Sequence, residues 1–422
     1  MRRPNLSRFT PDWLFTYTGV MLMTGILVNW GTGFTNFAHS LTLPSMELDL
    51  GISHTRAGFV ITMMAMVRMG STLISGTLAP RYGSRFIIGV GTVGSGGAMI
   101  LLGFAQTYPL VLLAAGLMGM GSGTALTPMM GLLSRWFRSS DRGLAAGLAA
   151  TGGSFAFIFA GLIVPWLVGR DADDGWRHAW FFFGAIAVSI GSVSLVFVRE
   201  RPVGSQQQDR GTGPEPEPGR AAWPMAAYKN PMIWLITFLA FTSGWSQNIF
   251  TSFFGVYLSQ ENGVSLTTVG QLVILIGVLS VTSGVLWGRI SDRFSRGQAF
   301  FYSFLLQGLA FISMAVLPGM GIFIISAILL GFTLRATYTV CAASAGDYVA
   351  VQFSAAAFGL MAVGAGLGSA ISPTVGGAIA DNLNMSWSFA AAAIFSGVGM
   401  AGSLLLIKHT QSLKVLQPTP TD

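Results

Sequence analysis

The stretch Gly-Thr-Leu-Ala-Pro-Arg-Tyr-Gly-Ser-Arg at residues 76–85 decides the fold, because it separates two long apolar segments. Arginine side chains are costly to place in hydrocarbon, so the stretch predicts a tight polar turn at a membrane surface. A weaker copy, Gly-Arg-Ile-Ser-Asp-Arg-Phe-Ser-Arg, occupies residues 288–296, which begin 212 positions downstream. The recurrence predicts a chain built from two copies of one unit.

Other residues obey the same offset of 212 positions. The related pairs are Gly76 and Gly288, Arg81 and Arg293, Asp49 and Glu261, Gly51 and Gly263, Ser53 and Ser265, Thr55 and Thr267, Gly58 and Gly270, Asn36 and Asn248, and Gly147 and Gly359. We predict that an even number of spans separates the copies, so that the second unit runs parallel to the first.

The composition is that of a membrane protein, with 52% hydrophobic and 9% charged residues, against about 25% charged in soluble domains. The net charge of +7 comes from basic residues scattered over short loops, which indicates topology signals and argues against a nucleic-acid partner. The single cysteine, Cys341, lies in an apolar segment, so no disulfide framework is expected. Without a nucleotide loop, zinc-ligand spacing or catalytic triad in the sequence, we expect neither an enzyme nor a cofactor.

We predict an all-α membrane protein with twelve transmembrane helices in two pseudo-symmetric six-helix bundles. The N-terminal bundle takes residues 1–198, a flexible cytoplasmic linker rich in Pro and Gly takes 199–230, and the C-terminal bundle takes 231–422. The predicted spans are 13–43, 57–79, 86–105, 110–133, 144–168, 179–198, 234–258, 269–287, 299–317, 321–345, 355–379 and 386–407.

The distribution of basic residues predicts the orientation. With the N-terminus inside the cell, the outer loops carry only Arg56, Arg170 and Arg177, and the inner loops and tails carry the rest apart from Arg68 and Arg335. Cytoplasmic loops are enriched in Lys and Arg, so we expect a multi-pass protein of the cell inner membrane with both termini cytoplasmic.

Twelve spans in two parallel halves, with the Gly-x-Leu-Ala-x-Arg-x-Gly-x-Arg loop of residues 76–85, resemble the major facilitator superfamily. Pro80 stands where that family usually has an acid, whereas the second copy carries Asp292. The resemblance implies that these loops latch the cytoplasmic ends when the transporter is open to the outside. It also implies that spans one, four, seven and ten line a central cavity.

Two further stretches are similar to the bacterial monocarboxylate and oxalate–formate porter branch. They are Trp-Phe-Arg…Arg-Gly-Leu-Ala-Ala-Gly at residues 136–147 and Gly-Trp-Arg at residues 175–177. That branch often carries an arginine in span eight, and residues 269–287 contain none. The resemblance implies a secondary transporter for small organic anions.

Two arginines are predicted at membrane depth. Arg335 lies near the centre of span ten and Arg68 midway along span two, with no acidic residue predicted inside any span. An unmatched guanidinium facing a wet cavity is a suitable bidentate ligand for a carboxylate. Tyr338 and Thr339, three and four positions after Arg335, are expected beside it. The alternative for Arg335 is that it binds backbone carbonyls or a neighbouring helix, and the alternative for Arg68 is that it is a structural group that bridges the halves.

Polar stripes mark spans one and seven. The first contains Asn29, Gly33, Asn36 and Ser40, and the second contains Gly244, Asn248 and Thr251. They indicate either a shared aqueous cavity, with Asn29, Asn36 and Asn248 contacting substrate, or hydrogen bonds between helices. His39 is the one histidine within a predicted span, and its titration range makes it the candidate for proton coupling.

The remaining candidates form the conformational loops at the inner ends. They are Gly76, Arg81, Gly83, Arg85, Asp292, Arg293, Arg135 and Asp347. Arg135 and Asp347 occupy equivalent positions in the repeat and carry opposite charges, which suggests ion pairs that form and break between states.

These observations predict a secondary active transporter of a small organic anion, a monocarboxylate, working by alternating access as a proton symporter and as a monomer. Anion exchange, export of larger amphipathic compounds and a membrane sensor that does not transport remain alternatives. The expected partners are the organic anion, a proton and the lipid bilayer.

Overall fold

The computed structural model describes residues 16–137, 142–171, 174–200, 228–344, 347–349 and 354–416. Most of the predicted linker, residues 201–227, lies outside the described residues. The helices are α1 (Tyr17–Phe37), α2 (His39–Leu50), α3 (His54–Tyr82), α4 (Ser84–Gly103), α5 (Tyr108–Trp136), α6 (Arg142–Arg170), α7 (Gly175–Phe197), α8 (Pro231–Val256), α9 (Leu266–Arg293), α10 (Arg296–Val316), α11 (Met320–Thr333), α12 (Ala336–Ser344), α13 (Ser354–Asn382) and α14 (Met385–Leu416).

The all-α prediction is confirmed, since the described residues contain helices and no strand. Within them, ten segments are long and apolar enough to cross a membrane. Predicted spans one and seven, which correspond to α1–α2 and α8, are missing from those ten. The reason is their polarity, because both carry hydroxyl and amide side chains that are buried within the protein, such as Thr35, Ser243 and Ser246.

Two predicted spans are each divided into two helices. Span one is interrupted between Phe37 and His39, and span ten is interrupted at Leu334 and Arg335, between α11 and α12. The span predicted over residues 321–345 is found as the membrane-length segment Met320–Ser344, and the interruption within it was not predicted. A short π-helical turn, Tyr257–Glu261, also extends the end of α8.

The internal repeat appears in the backbone at the turn before α3 and at the turn before α9. Gly51 and Gly263 both have left-handed conformations, with φ of +58° and +63°. Ser53 and Ser265 both cap the following helix, accepting hydrogen bonds from the backbone N–H groups three residues ahead. Residues 212 positions apart thus make the same turn, as the sequence predicted.

The same helix pairs pack in both halves of the chain. In the first half α1 packs on α6, α3 on α5 and α4 on α7, and in the second α8 packs on α13, α9 on α11 and α10 on α14. Between the halves, α3 packs on α13 and α6 on α9. Gly58 fits against Pro373 and its counterpart Gly270 against Gly161, at contacts too close for a Cβ.

The halves meet most closely at the end formed by the α2–α3 turn, the π-helical turn and the α13–α14 turn, here called the closed end. Asp381 of α13 accepts hydrogen bonds from the backbone N–H groups of His54 and Thr55, at 2.9 and 2.8 Å. Gln260 donates to the Pro44 carbonyl at 3.1 Å. Hydrogen bonds between described residues of the two halves lie at the closed end or between it and Arg335.

Candidate functional site

Arg335 reaches from its own half of the molecule into the other. It lies at the interruption between α11 and α12, and its Nη2 donates to the Ala150 carbonyl of α6 at 3.2 Å. Its backbone N–H donates to Ser283 Oγ at 3.2 Å. The residue as a whole is half-buried. Arg335 therefore bridges the two halves near the middle of the bundle.

Gly153 of α6 provides the space for this guanidinium. A Cβ at Gly153 would lie 2.9 Å from Arg335 Nη2 and 3.6 Å from Asn29 Oδ1. The ring of Phe37 lies 3.8 Å from the same point. The guanidinium is thus near an amide and an aromatic ring of α1, and the absence of a side chain at Gly153 permits its approach.

Arg68 of α3 makes contact with α1, the helix that contains Asn29 and Phe37. Its Nη1 donates to Asn36 Oδ1, which is adjacent in sequence to Phe37. Ion pairs among the described residues involve neither Arg68 nor Arg335. Two guanidinium groups, one from each half, therefore lie near α1, Arg68 at Asn36 and Arg335 in the neighbourhood of Asn29 and Phe37, and neither pairs with a carboxylate among the described residues.

The other predicted amides join helices. Asn29 Nδ2 donates to the Ala149 carbonyl of α6 at 2.9 Å. Asn248 Nδ2 donates to the Ser369 carbonyl of α13, and Asn248 Oδ1 accepts from Thr251 Oγ1 at 3.0 Å. In this conformation the amides of Asn29 and Asn248 thus make hydrogen bonds between helices. This is the alternative that the sequence allowed beside a role in a substrate cavity.

The residues predicted beside Arg335 point in different directions. Tyr338 is 62% exposed and meets the ring of Phe358 edge-on, with centroids 5.4 Å apart. Thr339 faces α9, where a Cβ at Gly284 or Gly288 would be 3.5 or 3.6 Å from its side chain. The structure therefore leaves Tyr338 accessible and places Thr339 in a helix contact.

His39 begins α2 and is almost fully buried, at 7% exposure. Among the described residues, neither ring nitrogen has a partner in hydrogen-bond geometry. The helices around it therefore shield the ring from solvent. A neutral ring suits such a site better than a charged one.

The first conformational loop is organised by a residue that was not predicted. Glu200 Oε1 accepts from the backbone N–H of Arg85 at 2.8 Å, at the start of α4, and a Cβ on Gly83 would lie 3.2 Å from it. Gly83 has φ of +85°, and Arg81 is exposed at the end of α3, the helix that also contains Gly76. A carboxylate thus reaches this loop although Pro80 replaces the usual acid.

In the second conformational loop, Arg296 holds both acidic candidates. It pairs with Asp292 at 2.6 Å and with Asp347 at 2.7 Å. Arg293 instead lies 5.9 Å from the Phe294 ring, and Arg135 is exposed. The suggested Arg135–Asp347 relation is therefore replaced in this conformation by a pair within the second half. Arg296 ends the repeated stretch at residues 288–296, but the sequence did not show that it would pair with Asp292 and Asp347.

A buried carboxylate at the closed end was also missed. Glu47 is 6% exposed, and it accepts from Gln260 of the other half at 3.4 Å and lies 3.0 Å from His54 Nδ1. Burial raises the pKa of Glu47, and the hydrogen bond from His54 opposes that effect. The sequence predicts every Asp and Glu in a loop, a tail or a helix end. The burial of Glu47 was therefore not expected.

Comparisons with known proteins agree with this architecture. The family model of the Major Facilitator Superfamily matches residues 25–319 and 233–420. A curated relative, the probable sulfoacetate transporter SauU of Cupriavidus necator, is 23% identical over 87% of this chain and 88% of its own length. The probable hexose phosphate transport protein of Chlamydia trachomatis is 26% identical over 40% of this chain and 36% of its own length.

A solved structure shows the same fold. It is a bacterial homolog to the human lysosomal transporter Spinster in an inward-facing and occupied conformation, with a TM-score of 0.75 and 16% sequence identity. The alignment covers 93% of this chain and 97% of that one. Together with the family match, this shows that the chain belongs to the Major Facilitator Superfamily and is a multi-pass membrane transporter, not an enzyme.

Proposed function

We propose that the protein transports a small organic anion, a monocarboxylate, which binds between the halves to Arg335 and Arg68. The observation that carries the proposal is that two buried or half-buried arginines, one from each half, bind α6 and α1 without an acidic partner among the described residues. A charge at membrane depth is expensive unless it is matched. An anionic substrate would supply the match, and Arg335 would give it a bidentate contact.

Alternating access follows from the contacts between the halves. Release of the substrate on the opposite side requires the closed end to separate, which breaks the contacts of Asp381 with α3 and of Gln260 with Pro44. The distribution of basic residues assigns the closed end to the outside, with the termini in the cytoplasm and the protein in the cell inner membrane. In that orientation the described conformation is inward-facing, and a monomer suffices for transport.

The names of the relatives support an anionic substrate. One is described as a probable sulfoacetate transporter and another as a probable hexose phosphate transport protein. Sulfonate, phosphate and carboxylate share the oxygen geometry that an arginine recognises. We favour a monocarboxylate because residues 136–147 and 175–177 resemble the monocarboxylate and oxalate–formate porter branch. Sulfoacetate is the alternative substrate that the binding test compares with a monocarboxylate.

Proton symport is the proposed coupling, since an inward proton gradient can drive accumulation of an anion. Exchange of internal for external anion is the alternative, and it needs no protein group that carries the proton. Reconstituted vesicles separate the two mechanisms. A protonophore abolishes accumulation in the first case, whereas in the second case uptake ignores the gradient and depends on anion loaded inside.

The test of the binding site is a thermal-shift and calorimetric measurement on purified protein with lactate, oxalate, sulfoacetate and glucose 6-phosphate. Arg335→Lys keeps the charge but loses the planar fork, so affinity should fall without unfolding. Arg335→Gln should weaken binding by about 30-fold or more, as expected for losing a charge pair worth roughly 2–5 kcal/mol. Arg170→Gln, at the exposed end of α6, is the control.

The same panel identifies the substrate class and the role of Arg68. If Arg68 is a second contact, Arg68→Gln lowers affinity while the melting temperature stays near that of the wild type. If it is structural, the melting temperature falls and affinity does not. Unchanged anion binding by Arg335→Gln would contradict the proposed site.

A further inference from the structure

The interruption of span ten leaves backbone groups without their helical partners. In a continuous helix, the carbonyl of Phe332 would accept from Ala336 and the carbonyl of Thr333 from Thr337. In this protein α11 ends at Thr333 and α12 begins at Ala336. Buried carbonyls without partners cost free energy, so an interruption at membrane depth survives only if other donors replace the lost bonds.

Three side chains from neighbouring helices make these replacements. Ser283 Oγ donates to the Phe332 carbonyl at 2.6 Å and Trp287 Nε1 donates to the same oxygen at 2.7 Å. Gln307 Nε2 donates to the Thr333 carbonyl at 3.4 Å. Ser283 also accepts from the backbone N–H of Arg335, so its hydroxyl connects both sides of the interruption. Ser283, Trp287 and Gln307 are all buried.

The first half provides an internal comparison, because the offset of 212 residues relates these three donors to Ser71, Ser75 and Ser95. There the corresponding helix, α5, runs unbroken from Tyr108 to Trp136. The three serines contact carbonyls of α5 only at 3.5 Å, the outer limit of a hydrogen bond. At two of the three positions, Trp287 and Gln307 therefore stand at the interrupted helix where serines stand at the continuous one, whereas Ser283 and Ser71 are serines in both halves.

The residue at the interruption differs between the halves as well. Arg335 corresponds to Gly123 of the unbroken helix α5. Trp287, Gln307 and Arg335 thus occur together in the second half. The matching positions of the first half contain none of these residue types. Beyond the interruption, Ser243 of α8 donates to Thr337 at 2.7 Å, which attaches the start of α12 to α8.

We propose that Ser283, Trp287 and Gln307 are positioning residues that fix the interruption of span ten and thereby set the guanidinium of Arg335 at the interface between the halves. None of the three has to touch the substrate. The effect on binding rests on the proposed function, whereas the effect on the backbone does not.

Hydrogen exchange tests the backbone effect without any ligand. Trp287→Phe keeps a buried aromatic ring and removes the donor to Phe332. Its control is Trp180→Phe, because Trp180 is 1% exposed and its Nε1 has no hydrogen-bond partner in the part of the chain that the structure describes. We expect amide exchange in peptides covering residues 332–340 to accelerate by about tenfold in Trp287→Phe and to stay unchanged in Trp180→Phe. Equal exchange in Trp287→Phe and the wild type would overturn the proposal.

Lactate and sulfoacetate are the probes for positioning, measured by calorimetry on the same two variants. We expect the affinity of the probe that the wild type binds to fall by about fivefold or more in Trp287→Phe, with Trp180→Phe unaffected. Faster exchange with unchanged affinity would overturn the positioning role. If the wild type binds neither probe, the proposed substrate class fails, and the exchange experiment alone decides whether the donors fix the interruption.

Discussion

At the scale of the residue, Arg335 shows what the sequence can and cannot reveal. Its charge within an apolar segment identified it as a functional candidate, because such a charge needs a partner. Its contact with Ala150 was not predictable, since the two residues are 185 positions apart. The space provided by Gly153 was equally hidden, because glycine is abundant throughout this chain.

Gly153→Ala should disturb the anion site specifically. The new methyl would lie 2.9 Å from Arg335 Nη2, so the guanidinium must move. We expect anion affinity to fall by about tenfold, as for the loss of one hydrogen bond to a charged group. Gly147→Ala is the matched control on the same helix, because no atom lies within 4 Å of its new Cβ.

Calorimetry with sulfoacetate and lactate measures both glycine variants. Gly147→Ala should bind the preferred anion like the wild type. An affinity of Gly153→Ala equal to that of Gly147→Ala would show that the guanidinium needs no space at this position.

At the scale of the element, the turns were predicted better than the contacts between helices. The pairing of Gly51 with Gly263 and of Ser53 with Ser265 follows from the repeat, and both pairs make the same local structure. The interruption of span ten was missed, because its apolar composition continues through residues 321–345. The donors that permit the interruption come from α9 and α10, so local sequence contains no sign of them.

Glu47 of α2 should make the separation of the halves at the closed end depend on pH. Burial raises the pKa of Glu47, whereas separation of the halves would hydrate the carboxyl and return it toward its ordinary value. The closed conformation therefore binds the proton more tightly, so acid stabilises closure. Raising the pH through the pKa of the buried carboxyl favours opening. Neighbouring titratable groups are His54, Asp381, Glu261 and the Asp49–Arg177 pair.

Spin labels can measure this response. Leu48→Cys and Leu383→Cys place labels on exposed positions of the two halves at the closed end, with Cys341→Ser removing the native thiol. In the otherwise native protein, the population with a long distance between labels should grow as the pH rises. Glu47→Gln should reduce this dependence to what His54 and Asp381 contribute, and Asp49→Asn, two residues along the same helix, should keep it in full. A pH response as large in Glu47→Gln as in the otherwise native protein would contradict the assignment.

At the scale of the whole molecule, the offset of 212 residues predicted the repeated architecture that the packing shows. The all-α membrane fold was thus largely predictable, because hydropathy and the repeat both act along the sequence. The end at which the halves meet was not predictable. It depends on contacts such as Asp381 with α3, between residues more than 300 positions apart.

Counterflow in proteoliposomes tests the central claim, that an organic anion crosses by binding to arginines between the halves. Vesicles loaded with unlabelled anion and diluted into radiolabelled lactate or sulfoacetate need no proton gradient, so the measurement isolates binding and alternating access from coupling. We expect the wild type to accumulate the label from its preferred anion. We expect Arg335→Gln, reconstituted at equal density, to accumulate none, and Arg170→Gln, at the exposed end of α6, to match the wild type. Counterflow by Arg335→Gln at the wild-type rate would contradict the account.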